Sequence, residues 1–369
     1  MNPLYGTPHL IACMSIPANA TALVVGSTGI TGRNLADHLV ARGWHVLGLA
    51  RNPGNIPGVV PIPVDLQDPT ALRAALAEHA VTHVFIGTWL RQPTEAENVR
   101  VNGAMVRNLF EALEVHPLAH AALVTGTKHY LGPFESYGQT STETPFREDS
   151  PRLPGLNFYY TQEDILFEFA AARSFTWSVH RSHSMIGYAL GNAMNMGVTL
   201  AVYANLCREQ GQPFVFPGSQ LQWNALTDIT DARLLARHLE WAALTPAAHN
   251  QAFNLVNGDL FRWRWLWPQI AAYFGVEPAG PPMPIAPLES RMAGAAPLWA
   301  DLAEKHNLAE PNINKLVSWW HTDADLGREL ECVNDMTKNR LLGFHEIQPT
   351  AASFFELFDR LRAERIIPR

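Results

Sequence analysis

The sequence predicts an α/β fold: a doubly wound parallel sheet with an interleaved, mainly helical C-terminal cap. From Thr21 to about residue 185, short apolar runs alternate with amphipathic helical stretches, the pattern of a parallel sheet covered by helices on both faces. Beyond that point the alternation stops and helical patterns dominate. The 369 residues are enough for one large unit of this kind or for two modest domains.

The strands and helices follow one another along the chain with few interruptions. In the first half we expect strands at 22–25, 44–50, 59–66, 81–89 and 119–127, with helices at 34–43, 69–79 and 98–115. In the second half we expect helices at 195–210, 231–244 and 262–275, and a late strand at 252–258 that returns to the sheet.

The predicted domains follow from these changes in pattern. Residues 1–20 show no clear period and are expected to be an N-terminal extension. Residues 21–187 are expected to form the sheet domain, and residues 188–369 mainly the cap. Segments within about 215–258 are expected to return to the sheet. Because no linker-like stretch is present, the cap is predicted to be interleaved with the sheet.

Composition excludes several classes of function. With 27 Lys and Arg against 34 Asp and Glu, the formal charge of −7 is a poor match to nucleic acid or an anionic membrane. Cys13, Cys207 and Cys332 lie far apart, which argues against a disulfide framework or a thiolate zinc site. No membrane-spanning run or secretory signal is evident. We therefore expect a cytoplasmic protein without nucleic-acid or membrane partners.

A glycine-rich turn, GSTGITG, follows the first strand and opens the first helix. Gly26, Gly29 and Gly32 form a GxxGxxG pattern in it. Glycines at such a turn let the backbone approach a pyrophosphate, and the helix N-terminus supplies free N–H groups. The turn predicts a Rossmann-type dinucleotide site with Thr28 and Ile30 in contact. A tight strand–helix turn without a ligand is the alternative.

The ends of the following strands are predicted to complete this site. Arg51 and Asn52 follow the second strand, where NAD sites usually carry an acidic residue, and a guanidinium there can pair with a 2′-phosphate. A solvated arginine is the alternative. NADPH is thus favoured over NADH. The other predicted cofactor contacts, mostly at strand ends, are Asp65, Leu66, Thr88, Trp89, Thr125 and Met185.

Two adjacent tyrosines, Tyr159 and Tyr160, stand at a helix start in NFYYTQED. A tyrosine acting as an acid or oxyanion donor normally has a cation beside it, yet the fourth residues after these two are Glu163 and Asp164. The fifth strand ends in TGTKHY, which puts Lys128 at the carboxyl edge of the sheet, where doubly wound folds bind ligands. We expect Lys128 to meet the tyrosine there and to lower its pKa from about 10.

Several longer motifs occur in a fixed order from Thr21 onward: VVGSTGITG, VTHVFIGTW, VNGAMVRN, TGTKHYLGPFESYG, REDSPRLPGLNFYYTQEDILFE, TWSVHR and AFNLVNGD. With them the sequence resembles the progesterone 5-beta-reductase/iridoid synthase-like (PRISE) family of short-chain dehydrogenases/reductases. The resemblance implies an atypical extended short-chain dehydrogenase fold in which residues 21–187 bind NADP.

The resemblance also implies a reaction. Family members reduce the C=C bond of an enone or enal with NADPH, and their catalytic lysine and first tyrosine match Lys128 and Tyr159. The implied mechanism is hydride delivery to the β-carbon, with Tyr159 hydrogen-bonding the carbonyl oxygen and Lys128 supporting Tyr159. A carbonyl reductase that uses the same pair and a non-catalytic NADP-sensing protein are the alternatives.

The substrate, a small α,β-unsaturated carbonyl compound, is expected to contact Phe134, Tyr160, Met196, Tyr203 and His321, although Met196 and Tyr203 also suit a core. Two departures from the family pattern lie near this pocket. Ser182 stands where the family often has proline, and His321 where it often has phenylalanine. The polar, titratable ring of His321 favours a substrate other than plant steroids or monoterpenes.

No metal site is expected, because His180 and His183 would point to opposite faces of a strand. The tryptophans of residues 263–267, with Trp319 and Trp320, are expected to pack in the cap. An exposed cluster would instead suit the face of a homodimer.

Overall fold

The computed structural model describes residues 15–133, 143–192 and 194–369. Its strands are β1 (Thr21–Val25), β2 (His45–Ala50), β3 (Val59–Pro63), β4 (His83–Ile86), β5 (His120–Gly126), β6 (Thr176–Ser182), β7 (Met185–Ile186), β8 (Phe214–Val215), β9 (Thr230–Asp231), β10 (Gln251–Leu255) and β11 (Pro278–Ala279). β1–β6 and β10 form one parallel sheet in the order β10-β6-β5-β4-β1-β2-β3. β7 pairs with β9 and β8 with β11.

The helices are α1 (Ile30–Arg42), α2 (Pro69–Leu76), α3 (Glu95–Ala112), α4 (Lys128–Leu131), α5 (Phe158–Arg173), α6 (Met196–Gln210), α7 (Gln220–Asn224), α8 (Ala232–Leu244), α9 (Trp263–Phe274), α10 (Leu288–Arg291), α11 (Ala295–His306), α12 (Trp319–Leu326), α13 (Thr337–Leu341) and α14 (Thr350–Ala363). Apolar side chains of α1 and α8 cover one face of the sheet, and those of α2, α3 and α5 cover the other. This two-sided cover explains why the central strands are apolar throughout.

The predicted doubly wound sheet is confirmed, and the strand predicted at 252–258 is present as β10, beside β6. The third and fourth strands are shorter than predicted, ending at Pro63 and Ile86. The helix predicted from Asn98 begins at Glu95, because Thr94 caps it: the Thr94 hydroxyl accepts the Glu97 N–H at 3.2 Å. The earlier start places Glu95 at the edge of the sheet.

The cap has a core of its own, formed mainly by α6, α9, α11 and α14. Trp267 stacks on Phe214 with a ring-centroid distance of 4.0 Å, and its indole N–H donates to the Phe214 carbonyl. Trp263 is buried as well, whereas Trp265 is 54% exposed. Within the described residues, no helix combines the length and apolar character needed to cross a membrane.

Candidate active site

A cavity of about 470 Å³ opens at the carboxyl edge of the sheet, a volume within the usual range for small-molecule sites. Its lining comes from the glycine turn after β1, from residues that follow β2 to β6, from the starts of α4 and α5, and from α12. β1 pairs with both β2 and β4, so the strand order reverses beside it. Doubly wound folds bind ligands at this point of reversal.

The glycine turn after β1 packs closely against the backbone of β2 and of α1. Gly26 has a φ of 82°, and its N–H donates to the Leu49 carbonyl at 2.8 Å. A Cβ at Gly32 would lie 2.1 Å from the Gly26 oxygen. Gly29 caps α1 without a side chain, so the helix start can offer backbone N–H groups to an anion. Gly32 lets α1 pack on the turn and does not line the cavity, so its contact with a cofactor stays a prediction.

The other predicted cofactor residues all line the cavity: Gly26, Thr28, Gly29, Ile30, Arg51, Asn52, Asp65, Leu66, Thr88, Trp89, Thr125 and Met185. The Thr31 hydroxyl donates to the Met185 sulfur at 3.3 Å, which ties the start of β7 to α1. The hydroxyl oxygens of Ser27 and Thr125 are buried without a hydrogen-bond partner among the described residues. The turn and the strand ends therefore fit a dinucleotide.

Lys128 lies directly after β5 in a buried ion pair. Its Nζ is 2.7 Å from Oε2 of Glu95, and the two side chains are 3% and 10% exposed. The second Glu95 oxygen, Oε1, accepts the N–H of Phe158 at 2.8 Å. A single carboxylate thus fixes both the lysine and the start of α5.

Tyr159 lies in the first turn of α5 and faces the same cavity. Its hydroxyl oxygen is 3.5 Å from the position a Cβ would take on Gly126, so it lies over the end of β5. Asn157 fixes this helix start: its Oδ1 accepts the Tyr159 N–H at 3.1 Å, and its Nδ2 donates to the Lys128 carbonyl at 3.0 Å. Lys128 and Tyr159 come from separate elements and line the same cavity.

The expected effect on the tyrosine's pKa is not what the structure shows. Burial first, and then the negative charge of Glu95, raise the pKa of Tyr159 well above the usual 10. The prediction of a lowered pKa was wrong because it included neither the burial of the phenol nor Glu95, whose carboxylate compensates the Lys128 charge. At neutral pH the Tyr159 hydroxyl is protonated and can act as a hydrogen-bond donor.

Of the predicted substrate contacts, His321 lines the cavity and three others do not. Tyr160 is buried, donating to the His129 carbonyl at 2.5 Å and accepting the Leu153 N–H at 3.0 Å. Met196 and Tyr203 belong to the cap core. These three side chains are buried against neighbouring helices and backbone and do not line the cavity, so their contact with a substrate stays a prediction. Phe134 lies outside the described residues.

Three charged residues escaped prediction: Asp325 and Arg328, which line the cavity, and Glu95, which pairs with the cavity residue Lys128. In the sequence, Glu95 looks like any acidic residue in the first turn of a helix, where the helix dipole stabilises a negative charge. Asp325 stands four residues after His321, a spacing that puts both on one face of α12, and Arg328 follows that helix. Only this spacing could have indicated that the residues act together.

The histidines of β6 and the loop after it have different surroundings: His180 is buried in the sheet, whereas His183 lines the cavity. Nδ1 of His180 lies 2.9 Å from Nδ1 of His238, and Nδ1 of His183 lies 2.8 Å from Oδ1 of Asp228. In the part of the chain that the structure covers, no group of three or more His, Cys, Asp or Glu is placed to hold a metal ion.

Comparison with known proteins identifies clear relatives. A family model described as a PRISE-like Rossmann-fold domain matches residues 67–368. The (S)-8-oxocitronellyl enol synthase of Camptotheca acuminata is 38% identical over 367 residues, covering 95% of this chain and 93% of the relative. The 3-oxo-Delta(4,5)-steroid 5-beta-reductase of Arabidopsis thaliana is 38% identical over 363 residues, with the same coverage.

Solved structures share the fold at much lower identity. The UDP-glucose 4-epimerase of Thermus thermophilus, in complex with NAD, superposes with a TM-score of 0.64 at 17% identity, covering 93% of this chain and 99% of the epimerase. The Bordetella bronchiseptica enzyme WbmG, also with NAD, gives a TM-score of 0.65 at 15% identity, covering 95% and 96%. These likenesses confirm the predicted Rossmann architecture.

Proposed function

The chain belongs to the family of PRISE-like Rossmann-fold proteins, and on that premise we propose that it is an NADPH-dependent reductase of the C=C bond of enones or enals. The observation that carries the proposal is the placement of Tyr159 and Lys128 in the cavity that also holds the glycine turn. Relatives named as a steroid 5-beta-reductase and as enol synthases support this reaction class.

The glycine turn and the strand ends would hold the cofactor. Backbone N–H groups at the start of α1 suit its pyrophosphate, and the orphaned Thr125 hydroxyl has no other partner among the described residues. Arg51 and Asn52, which line the cavity after β2, favour a 2′-phosphate and hence NADPH. When bound, the nicotinamide supplies a hydride to the β-carbon of the substrate.

Tyr159 is assigned as the donor to the substrate's carbonyl oxygen. Its hydroxyl stays protonated at neutral pH, since burial and the Glu95 charge raise its pKa. A phenol fixed over the end of β5 can hydrogen-bond an oxygen that gains negative charge as an enolate forms. A preorganised donor stabilises that charge more strongly in a partly buried site than in water.

Lys128 is assigned the role of supporting Tyr159. Glu95 holds its ammonium at 2.7 Å, and Asn157 links its carbonyl to the start of α5. These contacts fix the positions of the lysine and the tyrosine, which limits the movement of side chains needed during the reaction. The same phenol could protonate a ketone oxygen in a carbonyl reductase, so identifying the product decides between the two reactions.

The test compares Tyr159→Phe with Tyr160→Phe, two matched deletions of one hydroxyl. NADPH and NADH oxidation are followed with a panel of enones and enals, and the products are identified. We expect a saturated carbonyl product, faster turnover with NADPH, and a fall in kcat of about 10²–10³-fold in Tyr159→Phe, as for the loss of an oxyanion donor.

Tyr160→Phe is the control, because its hydroxyl pairs only with the backbone of His129 and Leu153 in the contacts described above. It should keep kcat within about threefold and lose roughly 1–3 kcal/mol of unfolding free energy. An allylic alcohol as product would assign the protein to the carbonyl reductases. Equal kcat losses in both variants would remove Tyr159 from its proposed role.

A further inference from the structure

His183 follows the end of β6 and lines the same cavity as Tyr159. Its backbone is fixed on both sides, because its N–H donates to the Thr230 hydroxyl at 3.0 Å and its carbonyl accepts the Thr230 N–H at 2.9 Å. The Ser182 carbonyl oxygen and the Tyr159 hydroxyl oxygen lie 3.1 and 3.5 Å from the position that a Cβ would take on Gly126. The loop that carries His183 therefore passes close to the Tyr159 hydroxyl.

The imidazole of His183 is oriented by a buried carboxylate. Its Nδ1 lies 2.8 Å from Oδ1 of Asp228, and the two side chains are 2% and 0% exposed. Asp228 is itself fixed, since the backbone N–H and the side-chain amide of Asn334 donate to it at 2.6 and 2.9 Å. The other ring nitrogen of His183, Nε2, is buried and has no hydrogen-bond partner among the described residues. Asp228 therefore holds the ring and leaves Nε2 available.

His183 carries a positive charge at neutral pH. Burial disfavours the charged ring, but the neighbouring Cys332 and Asp228 outweigh this effect and raise the pKa of His183 to about 10. The charged side chains of Arg328 and Asp325 lie nearby as well. A protonated imidazole has an N–H on both nitrogens. Nε2 is therefore a buried donor without an acceptor, which is costly unless a ligand supplies one.

The proposed reaction requires a proton donor in addition to Tyr159. Hydride addition to the β-carbon of an enone or enal leaves an enolate, and the saturated carbonyl product forms only when the α-carbon gains a proton. The Tyr159 hydroxyl is assigned to the oxygen, where it stabilises the developing charge. A second donor in the same cavity can protonate the α-carbon before the enolate leaves.

We propose that His183 is a catalytic residue, the general acid that protonates the α-carbon of the enolate through Nε2. This inference rests on the proposed function and deepens it. In this step the Nε2–H bond breaks, the enolate electron pair forms a C–H bond at the α-carbon, and the C=O double bond is restored. His183 is left neutral beside Asp228 and regains its proton from water after the product leaves. Because a fixed donor meets one face of the enolate, the new C–H bond has one configuration.

The test uses the full-length protein, NADPH and an enal with a methyl group on its α-carbon, so that protonation creates a stereocentre. The two enantiomers of the product are measured in early samples, and incubation of the isolated product with the protein checks that it does not epimerise. For the wild type we expect about a tenfold or greater excess of one enantiomer.

In His183→Gln the enantiomer ratio should fall to about onefold, because the enolate leaves and water protonates both of its faces. The rate of NADPH oxidation should fall by less than about tenfold, since hydride addition precedes this proton transfer. His180→Gln is the matched control, because His180 is a buried histidine of β6 that does not line the cavity. It should lower the urea midpoint and keep the wild-type enantiomer ratio.

Asp228→Asn is an independent second variant. It keeps an oxygen for Nδ1 of His183 but removes the charge that favours the protonated ring. Its enantiomer ratio should be lower than that of the wild type at pH 8 and should recover as the pH is lowered. Circular dichroism confirms that each variant folds.

A racemic product from the wild type, or a wild-type ratio in His183→Gln, would overturn the inference and leave the proposed function intact. A change in His183→Gln confined to the affinity for NADPH, measured by fluorescence quenching, would also overturn it, because Nε2 would then serve the cofactor. Absence of alkene reduction by the wild type would overturn both.

Discussion

The two sides of the cavity are built by different means. The sheet wall, formed by the glycine turn and the residues that follow β2 to β5, presents a backbone whose position the register of the parallel strands fixes. The polar wall, formed by Ser184, His321, Asp325 and Arg328, presents side chains whose positions depend on contacts between α12 and the loop after β6. We expect a change in the sheet wall to disturb the fold and a change in the polar wall to act mainly on ligand binding. This division suits a common cofactor combined with a variable substrate.

The sheet wall should tolerate substitution less well than the polar wall, and Gly32→Ala is the most severe test of this expectation. The added Cβ would lie 2.1 Å from the Gly26 oxygen and 2.8 Å from the Ser27 Cα, so backbone would have to move. We expect a loss of about 3 kcal/mol or more of unfolding free energy, at the upper end for overpacking, together with loss of NADPH binding. Urea unfolding and quenching of tryptophan fluorescence by NADPH would measure the two effects.

Gly29→Ala is the matched control in the same turn. Its Cβ would meet the Gly26 oxygen at 3.4 Å and the Asn192 amide nitrogen at 3.5 Å, which are ordinary contacts, and the backbone φ of −77° suits alanine. Its unfolding free energy should stay within about 1 kcal/mol of the wild type. If both variants lost the same stability, close packing at Gly32 would not be the reason for its glycine.

Acid should weaken the sheet side of the molecule through its buried histidines. Nε2 of His120 lies 2.9 Å from the Ser178 hydroxyl, which lies 2.8 Å from Nε2 of His180, and His180 pairs with His238. Burial lowers the pKa of His238 from 6.5 to about 3, and burial followed by the charge of His249 lowers that of His83 to about 4. The rings of His83, His120, His180 and His238 are therefore neutral in the folded protein at pH 7.

The direction of the pH effect follows from these lowered pKa values. Between pH 6.5 and 4 the unfolded chain binds protons that the folded chain does not, so stability falls as the pH falls. Each such group should cost roughly 2 kcal/mol between pH 6.5 and pH 4.5. Urea midpoints at pH 7.5, 6.0 and 5.0 should therefore decrease in that order. Midpoints that stay constant over this range would show that these histidines accept protons without unfolding.

His183 provides an internal contrast to these histidines. Although burial opposes it, the neighbouring Cys332 and Asp228 raise the pKa of His183 to about 10. A group with a raised pKa contributes its full stabilisation below the unfolded value of 6.5 and loses it only as the pH rises toward 10. His183 therefore does not offset the loss expected on the acid side.

The sheet wall was largely predictable from the sequence, because each of its residues follows a strand that an apolar run marks. Arg51, Asp65 and Thr88 could be placed at one edge since parallel strands end on the same side of a sheet. The close packing at Gly32 could not be predicted, because a glycine pattern does not distinguish contact with a ligand from contact between two stretches of backbone.

The cap side was much less predictable, for a physical reason. Met196 and Tyr203 lie on α6, which is buried from Met196 to Cys207, and whether such a helix turns a residue toward a core or a cavity depends on the helices packed around it. Asp325 and Arg328 gain their partners from Ser184, about 140 residues away in the chain. Glu95 likewise meets Lys128 only through the folding of α3 against β5. The local sequence pattern gives no information about these pairs, because their members are far apart in the chain.

The smallest of the expected effects concerns Glu95, which links Lys128 to the start of α5. Glu95→Gln keeps an oxygen for the Phe158 N–H but removes the charge that faces Lys128. We expect kcat to fall about tenfold, the size of losing a hydrogen bond to a charged group worth roughly 1.5 kcal/mol. Because burial and the Glu95 charge together raise the pKa of Tyr159, the substitution should also lower that pKa. The alkaline limb of the kcat profile, where the phenol loses its proton, should then move to lower pH.

Glu97→Gln separates this effect from a general loss of negative charge at the start of α3. Glu97 lies in the same helical turn but pairs with Arg100 at 2.8 Å on the exposed surface. An exposed pair of this kind contributes little to stability, so the variant should keep the wild-type kcat and alkaline limb. A Glu95→Gln protein with a lower kcat and an unmoved alkaline limb would mean that Glu95 acts by holding Lys128 in position and not through its charge on Tyr159. If both variants had the same kcat and the same alkaline limb, Glu95 would have no role beyond that of an acidic residue in a first helical turn. Asn157 and the end of β5 would then position Lys128 without it.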